Sequence, residues 1–225
     1  IWQPLLAAAR ERGDVPPDVV DRMAWELMLN RVKEVNAFAL PGGYLGVNLG
    51  LVAVTETPQE LASVLAHELS HVSQRHIARM ITQQGKQAPW LIGAMILGAL
   101  AAGSSSSSSI DVANATIAGS QALAVQSQLN FSRDMEREAD RVGFGVLTTA
   151  GFPGEGFAQM FDKLQQASRL NDDGAFPYLR SHPLTTERIA DMRARIPLVP
   201  AATQPVGPLA GAAPRMAIPD GEVHV

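Results

Sequence analysis

The residues with the clearest chemical potential lie in one short stretch, in which His67 and His71 are four positions apart and Glu68 lies between them. On an α-helix, residues four apart project only about 40° apart around the axis and about 6 Å along it, so both imidazoles can bind one zinc ion. Glu68 then points to the side, where it can reach a water on the metal and act as a general base. The HExxH pattern therefore predicts a zinc-dependent hydrolase if the surrounding chain forms a helix.

The flanking residues predict that helix. Thr57 is a suitable N-cap, Pro58 fits the first helical position, and Glu60 fits the acidic position of a capping box. Apolar residues follow with the spacing of one buried stripe, at Leu61, Val64, Leu65, Leu69 and Val72. No proline follows before Pro89. The pattern thus predicts a buried helix that carries the motif.

A catalytic zinc site needs a third protein ligand. The pattern HExxHxxGxxH would place a glycine at position 74 and a histidine at position 77, but the chain has Gln74 and Ile77 there. His76 is one position out of register, about 100° around the helix, so we interpret it as an ordinary polar or partly buried residue. A carboxylate from a second helix is the better candidate. Glu136 fits because Asp140 follows it by one turn, and two such carboxylates need a positive charge opposite them.

Length and composition limit the classes of function. The 225 residues suffice for one good-sized core and permit one or two domains, and 46% hydrophobic with 18% charged residues is typical of a globular protein. The net charge of -4 argues against a nucleic-acid partner. Because the chain has no cysteine, it contains neither a disulfide framework nor a thiolate zinc site.

The elements before the motif predict a small antiparallel sheet. Residues 24–29 alternate like a strand, and residues 36–40 and 44–48 flank a Pro-Gly-Gly turn in a hairpin pattern. An edge strand beside a metal cleft can bind an extended peptide through main-chain hydrogen bonds. Alternatively, the sheet only packs against the helix.

The middle of the chain gives weaker signals. The apolar run 89–102 is shorter than the roughly 20 residues that span a membrane, so we interpret it as a buried or interfacial segment. It would lie in the core, against a membrane or over the cleft. The serine run 104–109 predicts a flexible connector. Two separate helices are then predicted, over 111–128 and over 131–150 with Ser132 as the cap.

The last part of the chain predicts two more helices and a tail. Residues 157–170 have an amphipathic pattern, and a final helix follows to about residue 196. Residues 197–225 are rich in proline, glycine and alanine without periodicity, which indicates a linker or disordered tail. We therefore predict a metallopeptidase domain over residues 1–196 and a tail over 197–225.

Three motifs together carry a family resemblance. HELSH, EREAD and SHPLTTERI occur in this order, with the hairpin NAFALPGGYLGV upstream. They resemble the zinc endopeptidase family that includes HtpX and the CAAX prenyl proteases, and within it the BepA-like branch of Gram-negative bacteria is the most similar. The resemblance covers about residues 24–196. It implies an α+β, mostly helical, gluzincin-type metallopeptidase fold with a small antiparallel sheet beside the HExxH helix.

The resemblance also implies roles for the motif residues. It implies that His67, His71 and Glu136 hold one zinc ion per chain and that Glu68 is the general base. Asp140 would orient a ligand histidine through its far ring nitrogen, or act as a proton donor.

For other residues the resemblance leaves alternatives open. His182 would be a fourth ligand that blocks the open position in a latent state, a gate that stabilises the oxyanion when it swings away, or a helix-capping loop residue. Arg188 would contact a substrate carbonyl, hold a ligand carboxylate or pair at the surface. Asn36 is a second candidate for substrate contact. We interpret Asp134 and Glu138 as solvated charges.

The function implied is a periplasmic zinc endopeptidase in the quality control of misassembled envelope proteins, close to the outer membrane. Its partners would be unfolded or misassembled proteins, the outer-membrane assembly machinery or a membrane surface, and no nucleic acid. The alternative is a chaperone-like assembly factor with a latent, histidine-gated zinc site. No stretch is long enough to span a bilayer, and no helical repeat of the kind that follows the peptidase domain in BepA-like proteins is visible.

Overall fold

The computed structural model describes residues 1–83, 85, 107–170 and 176–196. The helices are α1 (Trp2–Glu11), α2 (Pro17–Val20), α3 (Leu49–Val54), α4 (Pro58–Ser73), α5 (76–83), α6 (Ser107–Thr149), α7 (Glu155–Leu170), α8 (Tyr178–Ser181) and α9 (Thr186–Arg195). The strands are β1 (Glu26–Asn30), β2 (Ala37–Leu40) and β3 (Tyr44–Asn48). Helices dominate the fold and one small sheet accompanies them, which confirms the predicted mostly helical α+β class. The predicted apolar segment 89–102 and the tail 197–225 lie outside the described residues.

Helix α4 carries the HExxH motif and packs against α1, α6, α7 and β2. Its start is capped as predicted, because the Thr57 hydroxyl accepts a hydrogen bond from the Glu60 N–H at 3.4 Å and Pro58 opens the helix. The Glu60 carboxylate does not complete a reciprocal capping box. It accepts from the Glu56 N–H at 2.7 Å and from Lys163 Nζ of α7 at 2.9 Å. These contacts tie the beginning of the motif helix to α7.

Helix α6 is one continuous helix of 43 residues. The predicted division into helices 111–128 and 131–150, with Ser132 as a cap, was therefore wrong, since no glycine or proline separates the two parts. The helix also begins at Ser107, inside the run that we predicted to be a flexible connector. Serine has a moderate helix propensity, and a helix formed by the residues that follow can extend into such a run.

A glycine lets α6 approach the motif helix. A Cβ atom at Gly143 would lie 3.1 Å from the carbonyl oxygen of Ala66 and from the backbone nitrogen of His67, so only a residue without a side chain fits without displacement. Glu136 and Asp140 lie seven and three positions earlier on the same helix face. The close contact therefore brings both carboxylates to the motif histidines.

The sheet has the strand order β1-β3-β2. As predicted, β2 and β3 form an antiparallel hairpin, with Leu40 opposite Tyr44 and a turn at Gly42 and Gly43, whose φ angles are 89° and 86°. β1, in contrast, pairs with β3 in parallel, with Glu26 opposite Tyr44, so the sheet is mixed and not purely antiparallel. This difference arises because the chain passes from β1 to the outer edge before the hairpin returns β3 to the centre.

The C-terminal elements close the core behind the motif. α7 packs against α4 and α9, and Thr185 caps α9 by accepting a hydrogen bond from the Arg188 N–H at 3.3 Å. The helices predicted over 157–170 and up to about residue 196 are thus confirmed, with α9 ending at Arg195. Among the helices in the described part of the chain, none has the length and apolar character needed to cross a bilayer.

Candidate metal centre

Four side chains from separate parts of the chain bring metal-binding atoms together. His67 and His71 from α4, Glu136 from α6 and His182 after α8 each offer one donor atom, and all four atoms lie within 4.8 Å of one another. The Nε2 atoms of His67 and His71 are 3.0 Å apart, and each lies 3.4 Å from a Glu136 oxygen. Zinc–ligand bonds of about 2.05 Å in a tetrahedron place neighbouring donor atoms about 3.3 Å apart. The spacing therefore fits a single zinc ion.

Asp140 and Arg188 stand behind His67. The Asp140 Oδ1 lies 3.0 Å from His67 Nδ1, and Arg188 donates two hydrogen bonds to the Asp140 carboxylate, at 2.6 and 2.8 Å. The buried Arg188 guanidinium also lies 2.9 Å from Glu136 Oε2 and donates to the Pro183 carbonyl at 2.8 Å. Of the roles considered for Arg188, the structure thus shows the contact with the candidate ligand Glu136, together with one to Asp140. Its donors are engaged there and not directed at a substrate carbonyl.

The electrostatics of the cluster fit a bound cation. Burial alone would lower the pKa of His67, but the hydrogen bonds to Asp140 and Glu136 outweigh it and raise the pKa to about 10. Burial would raise the pKa of Glu136, yet its contacts with His182 and His67 hold the pKa well below the usual range. The pKa of Asp140 is likewise lowered, because its hydrogen bonds to Arg188 and His67 outweigh burial. Glu136 and Asp140 therefore keep their negative charge, and a divalent ion at the donor atoms would balance it. The site thus accommodates a metal on electrostatic as well as geometric grounds.

The carboxylate of Glu68 is buried beside the donor atoms. Neither of its oxygens makes a hydrogen bond of good geometry with a described residue, although the nearby Tyr178 hydroxyl favours its charged form. Burial dominates and raises the pKa of Glu68. The carboxylate lines a cavity of about 210 Å³ together with Phe38 of β2, His71 and Glu136. A carboxylate with a raised pKa that faces a cavity next to metal ligands can take a proton from water there.

His182 lies within the donor cluster. Its Nδ1 is 3.1 Å from Glu136 Oε1 and 3.4 Å from His67 Nε2, and its Nε2 is 3.4 Å from Glu68 Oε1. The ring stacks on Tyr178 at 4.6 Å, and the His182 N–H ends α8 by donating to the Tyr178 carbonyl. The residue thus caps a short helix and faces the metal position at the same time. Only the SHP motif, and no periodicity, pointed to it in the sequence.

The sequence analysis did not predict a second series of hydrogen-bonded side chains, which lies behind His71. His76 is 1% exposed, and its Nδ1 lies 2.8 Å from His71 Nδ1. Its Nε2 lies 3.2 Å from Glu138 Oε2, which also accepts from Arg79 at 2.6 Å. His76, which we interpreted as an ordinary polar or partly buried residue, is thus fully buried in this contact, and Glu138, interpreted as a solvated charge, is 25% exposed and paired with His76 and Arg79. Arg75 adopts a left-handed conformation (φ 55°) that interrupts the helix, and no sequence signal marks an arginine for that role.

Two further residues singled out in the sequence, Asn36 and Asp134, are not among the four metal donors. Asn36 directly precedes β2, its backbone carbonyl accepts from the Asn48 N–H at 3.0 Å, and its buried amide oxygen has no partner in the described part of the chain. It does not line the cavity at Glu68, so its contact with substrate stays a prediction. Asp134 has an exposed side chain that pairs with Arg137 at 2.7 Å, as expected for a surface charge.

Comparisons with known proteins find peptidases. The model of Peptidase family M48 matches residues 13–196. The chain is 40% identical over 165 residues to a putative beta-barrel assembly-enhancing protease of Vibrio cholerae, covering 73% of this chain and 33% of that protein. It is 35% identical over 162 residues to the beta-barrel assembly-enhancing protease of Escherichia coli K12, covering 72% and 32%. Metalloprotease LoiP of E. coli K12 is 30% identical over 165 residues, covering 73% and 60%. The chain spans about a third of the length of the first two relatives.

Proposed function

The chain belongs to peptidase family M48, and from this premise we propose that it hydrolyses peptide bonds as a zinc endopeptidase. One observation carries the proposal: the buried carboxylate of Glu68, which makes no hydrogen bond of good geometry in the described part of the chain, lies beside four converging metal donors. A structural zinc site would give such a buried carboxylate no role. The names of the relatives, which are all proteases, favour hydrolysis over the chaperone-like alternative.

The residues of the site have separate roles in hydrolysis. His67, His71 and Glu136 would hold zinc, which when bound supplies a Lewis acid that polarises the scissile carbonyl and acidifies water at the site. Glu68 takes a proton from the attacking water and passes it to the leaving amine as the C–N bond breaks, giving a carboxylate and an amine. Asp140 keeps His67 in one orientation during these steps.

His182 would act as a gate. Its ring nitrogen occupies a fourth donor position, which a substrate carbonyl or the attacking water needs during catalysis. With His182 in that position the site is latent, and its withdrawal opens the cleft. A His182→Ala variant should then cleave an unfolded substrate faster than the wild-type chain. If its rate and its zinc coordination match those of the wild type, the gate is refuted.

The substrates would be unfolded or misassembled proteins of the bacterial envelope. The edge strand β2 lies against the motif helix, and Phe38 of that strand lines the cavity at Glu68, so an extended chain can add to the edge beside the reacting atoms. Such binding tolerates many sequences, as quality control requires. The relatives named for beta-barrel assembly support a periplasmic location and contact with the outer-membrane assembly machinery.

The central test is a Glu68→Gln variant with casein as the substrate. Cleavage should fall by about 10²- to 10⁴-fold, since the amide cannot take the proton, whereas zinc content should stay at one ion per chain. A Glu187→Gln variant, which changes an exposed carboxylate on α9, is the matched control and should cleave normally. A chelator should abolish cleavage by the wild-type chain and by this control. Full cleavage by Glu68→Gln would refute the assignment.

A further inference from the structure

The two motif histidines are oriented by different groups. His67 turns its far ring nitrogen to the carboxylate of Asp140, whereas the far nitrogen of His71 faces another imidazole, that of His76. Nδ1 of His71 and Nδ1 of His76 are 2.8 Å apart, which is a hydrogen-bond distance between two atoms that can each donate or accept. One of the two must therefore carry the proton and the other must accept it.

The metal position and Glu138 fix the direction of this hydrogen bond. His71 presents Nε2 to the donor cluster, so the lone pair belongs there and the proton belongs on its Nδ1. His76 must then accept at Nδ1 and carry its own proton on Nε2. That proton points to Glu138 Oε2 at 3.2 Å, and an ionised carboxylate only accepts. The hydrogen bonds from His71 through His76 to Glu138 thus allow one consistent arrangement of protons. In this arrangement the Nε2 lone pair of His71 is free to bind a metal.

Arg79 completes the chain at its outer end. It donates to the same Glu138 oxygen at 2.6 Å, and a guanidinium pairs with a carboxylate in its ionised form. The ionised carboxylate keeps the proton of His76 on Nε2. The outer chain of His71, His76, Glu138 and Arg79 therefore has the same plan as the chain of His67, Asp140 and Arg188, with one imidazole added.

The contact between His71 and His76 depends on an unusual backbone conformation. In an uninterrupted helix, residues 71 and 76 would project about 140° apart and their rings would not meet. The left-handed Arg75 interrupts the helix after Gln74 and starts α5 at His76, which brings the two rings to a centroid distance of 4.8 Å. A left-handed residue other than glycine is unfavourable and persists only where the surrounding structure requires it.

We propose that His76, held by Glu138 and Arg79, is the positioning residue for the metal ligand His71. It sets the tautomer and ring orientation of His71 through the 2.8 Å contact between their Nδ1 atoms. The inference rests on the proposed function, because it requires that the site bind zinc. Removal of a group that orients a metal ligand in this way typically costs about 10- to 100-fold in metal affinity.

The test is a zinc titration of the full chain in competition with a chromophoric chelator. A His76→Ala variant should bind zinc about 10- to 100-fold more weakly than the wild type. In a His76→Asn variant the amide oxygen can replace Nδ1 as the acceptor, so this variant should recover most of the lost affinity. Asp134→Asn, which changes an exposed carboxylate one turn before Glu138, is the matched control and should bind like the wild type.

Each result has one meaning. Unchanged affinity in His76→Ala, or an Asn variant as weak as the Ala variant, would overturn the proposal, because packing alone would then explain the position of His76. If the Ala variant does not fold by circular dichroism, a Glu138→Ala variant, which changes a less buried residue, takes its place and should also lose affinity. Failure of the wild-type chain to bind zinc would instead refute the proposed function, so the two failures are distinct.

Discussion

The inner and outer halves of the site are built from similar groups but are embedded differently. In the inner half, Arg188 and Asp140 stand behind His67, and their side chains are 4% and 1% exposed. In the outer half, Glu138 and Arg79 stand behind His76 and have side chains that are 25% and 42% exposed. The inner half belongs to the core between α4, α6 and α9, whereas the outer half joins His76 and Arg79 of α5 to Glu138 of α6 and reaches solvent.

This difference in burial separates two properties that the residues of a metal site often affect together, the stability of the fold and the affinity for the metal. Buried charges that lose a partner cost folding free energy, because water cannot replace the partner. Charges at the surface are solvated when their partner is removed, so the fold barely changes. We therefore expect substitutions in the inner half to destabilise the fold. Substitutions in the outer half should weaken zinc binding in a protein that stays folded.

The largest expected effect is that of Arg188→Ala. The substitution removes the guanidinium from the buried carboxylates of Asp140 and Glu136 and should lower the free energy of unfolding by about 3–5 kcal/mol. The measurement is urea denaturation of the zinc-free chain. Arg79→Ala, the corresponding change in the outer half, should cost about 1 kcal/mol or less. Equal losses for the two variants would break the comparison between the halves.

The contact between α4 and α6 gives the next largest effect. In Gly143→Ala the new methyl group would meet the α4 backbone at 3.1 Å, and backbone atoms cannot move aside easily. We expect a loss of about 1–3 kcal/mol, although alanine is the better helix former. The matched control is Gly119→Ala on the same helix, where the methyl group meets nothing within 4 Å. That variant should gain about 0.5–1 kcal/mol, and a gain in both variants would contradict the close approach.

The inner half was largely predictable from the sequence, since its signals are local. The spacing of His67 and His71, the cap at Thr57 and the paired carboxylates of Glu136 and Asp140 each follow from helix geometry and can be identified within a few residues. The hairpin at Gly42 and Gly43 is a signal of the same kind. For these elements, local preference and final structure agree.

The outer half was not predictable, because it depends on one unusual backbone conformation. His76 meets His71 only since Arg75 is left-handed, and arginine carries no preference for that conformation. The parallel pairing of β1 and the continuity of α6 were missed for a related reason. Strand partners and helix ends there are set by contacts with distant parts of the chain, and no glycine or proline marks the outcome.

The N-terminal end of α4 makes the stability of the motif helix sensitive to pH. Burial would raise the pKa of Glu60, but the Glu56 N–H and Lys163 lower it below its ordinary value of 4.5. A depressed pKa in the folded state means that ionised Glu60 stabilises the fold above about pH 4.5 and that this contribution disappears as the pH falls through the lower, folded value. A Glu60→Gln variant should therefore be less stable by roughly 1 kcal/mol at pH 7.

The same difference should shrink as the pH falls below 4.5. Thermal unfolding of both proteins between about pH 3 and about pH 7, a range that brackets the ordinary glutamate pKa of 4.5, measures it. Glu187→Gln on α9 is the control, because its carboxylate is exposed and should give no comparable pH dependence. A stability difference that is constant over this range would show that the Glu60 charge is not involved.

The smallest expected effect on stability is that of Arg75→Gly, and comparing it with Arg75→Val tests the outer half. Arg75→Gly removes the left-handed strain of about 1 kcal/mol but adds a similar entropy to the unfolded chain, so stability should change by less than about 0.5 kcal/mol. Arg75→Val should lose about 1–2 kcal/mol if it keeps this conformation, because a branched side chain fits it poorly. If the valine chain instead straightens the helix, His76 turns away from His71 and zinc affinity falls while the fold remains. Either loss in the valine variant, with the glycine variant close to wild type in both measurements, would show that the backbone at this one position connects the outer half to the metal.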